Sequence, residues 1–222
     1  MESLRSKSLD ERHSLISTVI LTAAMHQGHT MGILDLFREN KDEVQGTRVL
    51  VCAVDDRFDD LLKEDSEVYG RYYRATTTAV LPSIQVLLGR LEQKFDIVHL
   101  IADLTETGTI RDASGREITA TELIQRCCDH DVKLLWAASD NPPERYLNGF
   151  GARGKRLNLV LTLKRKGSNF PSFLRKILSR IAYGDTMPVA WNEICPQIPG
   201  SEHKDAPESI FFAGRGGVRL LP

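Results

Sequence analysis

Cysteine is scarce in this chain: Cys52, Cys127, Cys128 and Cys195 are the four in 222 residues. They fit no zinc-ligand spacing, and the adjacent Cys127 and Cys128 make poor ligands or bridge partners. Reduced, mostly buried thiols are expected. Long apolar runs are missing too. None approaches the roughly 20 residues a membrane-spanning helix needs. The opening Met-Glu-Ser-Leu-Arg-Ser-Lys lacks the charged-then-apolar layout of a signal peptide. These absences together predict a cytoplasmic protein with no membrane partner. A surplus of one charge sign is also lacking: the formal net charge is −1, so no global field recruits nucleic acid or an acidic membrane. The six histidines show no metal spacing; for His26 and His29 no third ligand can be named. No metal and no cofactor are expected.

What is present reads as a globular chain, 41% apolar and 27% charged, and 222 residues are enough for one large domain. Its organising stretch is Lys94-Phe-Asp-Ile-Val-His-Leu-Ile-Ala-Asp-Leu104. Ile97, Val98, Leu100, Ile101 and Ala102, interrupted only by His99, form a short β-branched run of the kind buried on both faces of a sheet. It ends in Asp103, where an open α/β sheet exposes its carboxyl edge and ligands bind. Comparable strands are predicted at 48–55, 132–138 and 157–163, with a further strand at 15–24 and a last one at 209–213. Helices are expected at 31–37, at 79–93 from the spacing of Val80, Ile84, Leu87, Leu88 and Leu91, at 120–128, from Pro142, at 170–183 and around Trp191. Thr119-Ala-Thr-Glu122 has the form of a capping box. Residues 105–117 read as a polar excursion with turn chemistry at Asp112-Ala-Ser-Gly115. The acidic stretch 55–67 and the tyrosine-rich 69–73 are given no regular element. Strand and helix in alternation predict a mostly parallel, doubly wound sheet in a single α/β domain over 13–222, behind a flexible 1–12. No linker or repeat interrupts it.

Three strands end in polar residues at one edge: Asp55 and Asp56, Asp103, and Ser139. Lys164 follows a fourth. Polar residues also follow buried strands simply because the chain there reaches solvent. Beyond that, Val98-His-Leu-Ile-Ala-Asp-Leu104 resembles the "VHLSTHG" strand of CHAT domains, the caspase-like peptidases of bacteria. Gly115-Arg-Glu-Ile-Thr-Ala-Thr-Glu-Leu-Ile124 is similar to their "G-x-L-T-A-E-E-I" helix entry. Leu134-Leu-Trp-Ala-Ala-Ser-Asp140 resembles their "VVLSACES" strand, and Phe211-Phe-Ala-Gly-Arg-Gly216 sits where the family has its last strand. The resemblance covers roughly 46–215 and implies a caspase-like (CHAT-type) fold. It also implies a catalytic histidine at the position of Asp103 and a catalytic cysteine at that of Ser139. Neither is present. A cysteine peptidase needs a thiolate and an imidazole of pKa near 6.5, whereas an aspartate with its reference pKa of about 3.9 is a feeble base at neutral pH. His99 stands four extended residues, roughly 13 Å, upstream. The resemblance therefore implies a pseudo-peptidase, a binding or scaffolding subunit of a bacterial multi-protein system, with a defence setting that follows from the family alone.

Two alternatives use the same residues. An acidic pair, a lone aspartate, a hydroxyl and a lysine after successive strands is the order of a response-regulator receiver. Asp55 and Asp56 would hold Mg²⁺, Asp103 would accept a phosphoryl group, and Ser139 and Lys164 would sense it. A hydrolase using Ser139 is the other. Gly149-Phe-Gly-Ala-Arg-Gly-Lys-Arg156 satisfies loose phosphate-loop patterns but precedes a strand rather than a helix, so a plain loop is the simpler reading. Charge is unevenly placed. Residues 151–180 hold nine basic side chains (Arg153, Lys155, Arg156, Lys164, Arg165, Lys166, Arg175, Lys176, Arg180) and no acidic one, while 54–68 hold seven acidic against two basic. Opposed patches suggest a charged protein partner or self-association. With few aromatics in the basic stretch, a nucleic-acid partner is poorly supported.

Overall fold

The computed structural model describes residues 46–142, 145, 156–163, 165–166, 169–195 and 209–222. The strand expected at 15–24, the helices at 31–37 and from Pro142, the flexible 1–12 and the loop 149–155 lie outside the described residues. The elements in chain order are β1 (Val49–Ala53), a 3-10 turn (Asp56–Phe58), α1 (Asp59–Gly70), β2 (Thr76–Val80), α2 (Ile84–Leu91) and β3 (Ile97–Ile101). A two-stranded hairpin β4 (Thr109–Arg111) and β5 (Glu117–Thr119) follows, then α3 (Ala120–Asp129), β6 (Leu134–Ala138), β7 (Asn158–Thr162), α4 (Phe170–Ala182), α5 (Met187–Ile194) and β8 (Ser209–Ala213).

Six strands form one sheet in the order β2-β1-β3-β6-β7-β8. Every pairing is parallel except β7 with β8, which is antiparallel. The four strands expected as parallel neighbours are those neighbours. Each of β1, β3, β6 and β7 is buried at all five positions, which is why their sequences are unbroken apolar runs rather than alternating ones. Alternation survives in where the side chains go. Leu50, Cys52, Val98, Leu100 and Leu135 pack under α2 and α3. Val49, Val51, Ile97, Ile101 and Trp136 pack under α1, α4 and α5. The class is α/β, a mostly parallel sheet with helices on both faces, consistent with a caspase-like arrangement. No helix among the described residues is long and apolar enough to cross a membrane.

Three local expectations change. Residues 76–80 form an edge strand, not the start of a helix; the helix begins at Ile84, after Ser83 caps the N–H of Val86. The acidic stretch is largely helix α1, whose inward positions are Leu62, Asp65, Val68 and Tyr69. The polar excursion contains the β4–β5 hairpin, and its turn holds Gly115 at φ +83°, a left-handed backbone that favours glycine. The Thr119 half of the capping box is made: its hydroxyl accepts from the N–H of Glu122 at 3.1 Å. The lead-in to β1 meets residues 220–222. Thr47 N–H donates to Leu221 C=O at 3.0 Å, and Tyr73 Oη to Leu220 C=O at 2.9 Å. A Cβ on Gly46 would lie 3.2 Å from the carbonyl carbon of Pro222.

Candidate functional site

The carboxyl edge of the sheet gathers the polar residues that follow β1, β3 and β6. Backbone bonding runs one or two residues past the strands, from Ala102 N–H to Ala138 C=O (3.4 Å) and from Ser139 N–H to Thr162 C=O (3.3 Å). Asp103 and Ser139 thereby inherit the spacing of adjacent parallel strands. The Ser139 hydroxyl donates to Asp103 Oδ1 at 2.9 Å, and Asn141 Nδ2 donates to Ser139 Oγ at 2.7 Å. Asn141 Oδ1 accepts the Leu104 N–H at 3.2 Å, pinning the chain just after Asp103. The other Asp103 oxygen pairs with Arg57 Nη2 at 2.9 Å, and Arg57 Nε pairs with Asp55 at 2.9 Å. Asp55 caps the 3-10 turn by accepting the Arg57 N–H at 3.0 Å, and that cap directs the guanidinium across the edge.

A cleft of about 740 Å³ opens beside this chain of contacts, lined by Arg57, Asp103, Thr105, Arg111, Glu117 and Arg145 among others. Its surface is polar, and its cations already have partners. Arg57 holds two carboxylates, Arg111 reaches Glu117 through Nε at 2.8 Å, and Arg145 donates to Leu104 C=O at 2.9 Å. The hairpin wall is braced by Asp112. Burial pushes its carboxyl up, but the Ser114 hydroxyl and the N–H groups of Ile84, Arg116 and Ser114 outweigh this and hold it below the usual range.

Asp55, Asp103 and Ser139 are therefore brought together. Asp56 is exposed in the 3-10 turn, and Lys164 lies outside the described residues. The guanidinium of Arg57 bridges Asp55 and Asp103, two of the carboxylates that the receiver alternative assigns to Mg²⁺ and phosphoryl binding. Among the described residues no three His, Cys, Asp or Glu side chains are grouped to hold a metal. No thiol is near the edge chemistry. Cys52 and Cys195 are pushed up to about 12 by burial, and burial also raises Cys127 and Cys128.

The expected basic patch is partly corrected. Arg156, Lys166, Arg175 and Lys176 are exposed, while Arg153 and Lys155 lie outside the described residues with Lys164. Arg165 is not a surface residue; it is 1% exposed. Its Nε and Nη2 grip Asp65 of α1 at 3.0 and 2.8 Å, and its guanidinium lies over the Phe170 ring, 4.6 Å from the centroid. Asp65 in turn meets His99 Nε2 at 2.9 Å, and His99 Nδ1 meets Tyr69 Oη at 3.2 Å. Asp65, Tyr69 and His99 are fully buried. Sequence reasoning missed this network. Its signal was there: a histidine inside a strand buried on both faces must find a polar partner. The network also steadies the edge, since the Arg165 N–H donates to Ser139 C=O at 3.3 Å.

No protein-family model matches the chain, and no curated protein matches it.

Proposed function

We propose that this chain is a caspase-like domain of CHAT type that carries no peptidase chemistry. On this reading it is a cytoplasmic binding or scaffolding subunit of a bacterial multi-protein system, and the defence setting rests on the resemblance alone. One observation carries the reading. At the two positions that the resemblance assigns to histidine and cysteine, Asp103 and Ser139 follow adjacent parallel strands and touch through their side chains, Oγ to Oδ1 at 2.9 Å. The frame of a catalytic pair is kept while its contents are changed. A serine hydroxyl gives no anion at neutral pH, and an aspartate, with a reference pKa of about 3.9, does not draw its proton away. Arg57 ties Asp103 to Asp55, and Asn141 ties Ser139 to the backbone at Leu104. Such a site recognises or braces; it does not turn over.

The test is the double exchange Asp103→His with Ser139→Cys in the full chain. The variant should fold, and the introduced thiol should titrate below its ordinary value of about 8.5, because a neighbouring imidazolium and the guanidinium of Arg57 favour the thiolate. Peptide cleavage by the parent protein, or a thiol left at its ordinary value in the variant, would overturn the reading. Mg²⁺-dependent spectral shifts with beryllofluoride, lost in Asp103→Ala, would replace it with the phosphoacceptor alternative.

A further inference from the structure

We propose that the face formed by α1 and α4 is a two-fold interface with a second copy of this chain. The inference does not depend on the Asp103–Ser139 site. The two helices pack against each other on one face of the sheet, over a shared apolar cluster, and their outward stripes are oppositely charged. Facing outward from α1 are Asp59, Asp60, Glu64 and Glu67 against a single Lys63, a local charge of −3, while Asp65 turns inward. Facing outward from α4 are Arg175, Lys176 and Arg180 with no acidic residue, a local charge of +3.

Some of this charge is used within the chain: Lys63 pairs with Asp59, Glu64 with Arg165, and Arg180 with Asp185. Glu67, Arg175 and Lys176 are exposed and in no ion pair among the described residues. Tyr183, at the α4 C-cap, is 87% exposed, the most exposed large apolar side chain described. It is the type of residue that anchors interfaces.

Neighbouring stripes of opposite sign are self-complementary. A two-fold axis along the seam between the helices lays α1 of each copy on α4 of the other, so one match is made twice. Other partners fit worse. Nucleic acid would be drawn to α4 and repelled by the acidic stripe beside it. An acidic protein would cover α4 and leave α1 uncompensated. Only a surface with both stripes, in this order, satisfies both at once. Held by exposed charges, the contact is weak and salt-sensitive.

Sedimentation velocity on the full chain, over a concentration series at low salt and at ~0.5 M salt, tests this. The parent should associate to a dimer at low salt and bind itself at least about tenfold more weakly at high salt. Two variants reverse one stripe each: Asp60→Lys with Glu67→Lys, and Arg175→Glu with Lys176→Glu. Circular dichroism should show both folded, because all four residues are exposed. Each variant alone should associate at least about tenfold more weakly than the parent. An equimolar mixture of the two should recover the dimer, because each then offers the stripe the other lacks. A parent that is monomeric throughout, reversed variants that dimerise like the parent, or a mixture that stays monomeric would each overturn the proposal. A monomeric parent that binds a fluorescent oligonucleotide, with binding lost only in the Arg175→Glu, Lys176→Glu variant, would assign the face to nucleic acid instead.

Discussion

Replacing Arg165 by methionine keeps an unbranched, flexible stem and removes the guanidinium with its charge. In the parent, Asp65 is 0% exposed and receives two hydrogen bonds from the guanidinium, at 3.0 and 2.8 Å, besides the His99 contact at 2.9 Å. The variant leaves a buried carboxylate facing one imidazole, and breaking a buried pair from one side costs about 3–5 kcal/mol. For a chain of this length about 1 kcal/mol moves the melting temperature by about 2–4 °C, so a drop of roughly 6–20 °C is expected. Because the pair is shielded from solvent, the loss should persist in ~0.5 M salt, where exposed pairs are screened. Removing both partners, Asp65→Leu with Arg165→Met, takes away the stranded charge. The double variant should then be no less stable than Arg165→Met alone, a coupling of about 3 kcal/mol. Urea unfolding followed by tryptophan fluorescence measures all four corners of the cycle, with Trp136 stacked near His99 as an internal reporter. A loss under about 1 kcal/mol for Arg165→Met, or strictly additive single changes, would refute the account of this network as a tightly coupled unit.

Three further outcomes are expected. Asp112→Asn should destabilise by about 1.5–3 kcal/mol, since a charged acceptor of several hydrogen bonds is lost. Its lowered folded pKa means that the parent holds this contribution above the unfolded value of about 3.9 and loses it as pH falls below that, so the parent–variant gap in urea midpoints should be full at pH 7 and shrink under acid conditions. Thiol-directed peptidyl warheads and iodoacetamide should leave the folded chain unlabelled at neutral pH, because all four thiols are raised by burial; mass spectrometry checks this, and rapid labelling of Cys127 would contradict it. Thr119→Ala removes the cap on the Glu122 N–H and should lower stability by about 1 kcal/mol, read from thermal melts.

The central strands were legible because both of their faces are covered. A parallel strand in that position has no solvent side, and its sequence shows it as an unbroken apolar run. The strand Thr76–Val80, outermost among the described strands, is only partly buried, so its threonines gave no such run. Helix α1 was hidden for a different reason. One of its four core-facing positions is Asp65, and a helical apolar stripe broken by an aspartate reads as a charge run. Distant partners, His99 of β3 and Arg165 100 residues on, explain why the aspartate is tolerated there. At the site, Asp103 and Ser139 were legible as strand-end residues. Arg57 and Asn141 were not, because their roles depend on which strand ends the sheet makes adjacent. Arg165 was misplaced by counting charge along the sequence, which cannot tell an outward cation from an inward one.

The contact of residues 220–222 with the lead-in to β1 has a consequence for the sheet. Leu221 C=O accepts the Thr47 N–H, and Leu220 C=O accepts the buried Tyr73 hydroxyl. β1 is an inner strand, with β2 on one side and β3 on the other. Residues far along the chain thus close the amino end of a strand laid down near its start. Displacing them would strand two donors at once, one of them on a fully packed tyrosine, and such orphaned groups are costly.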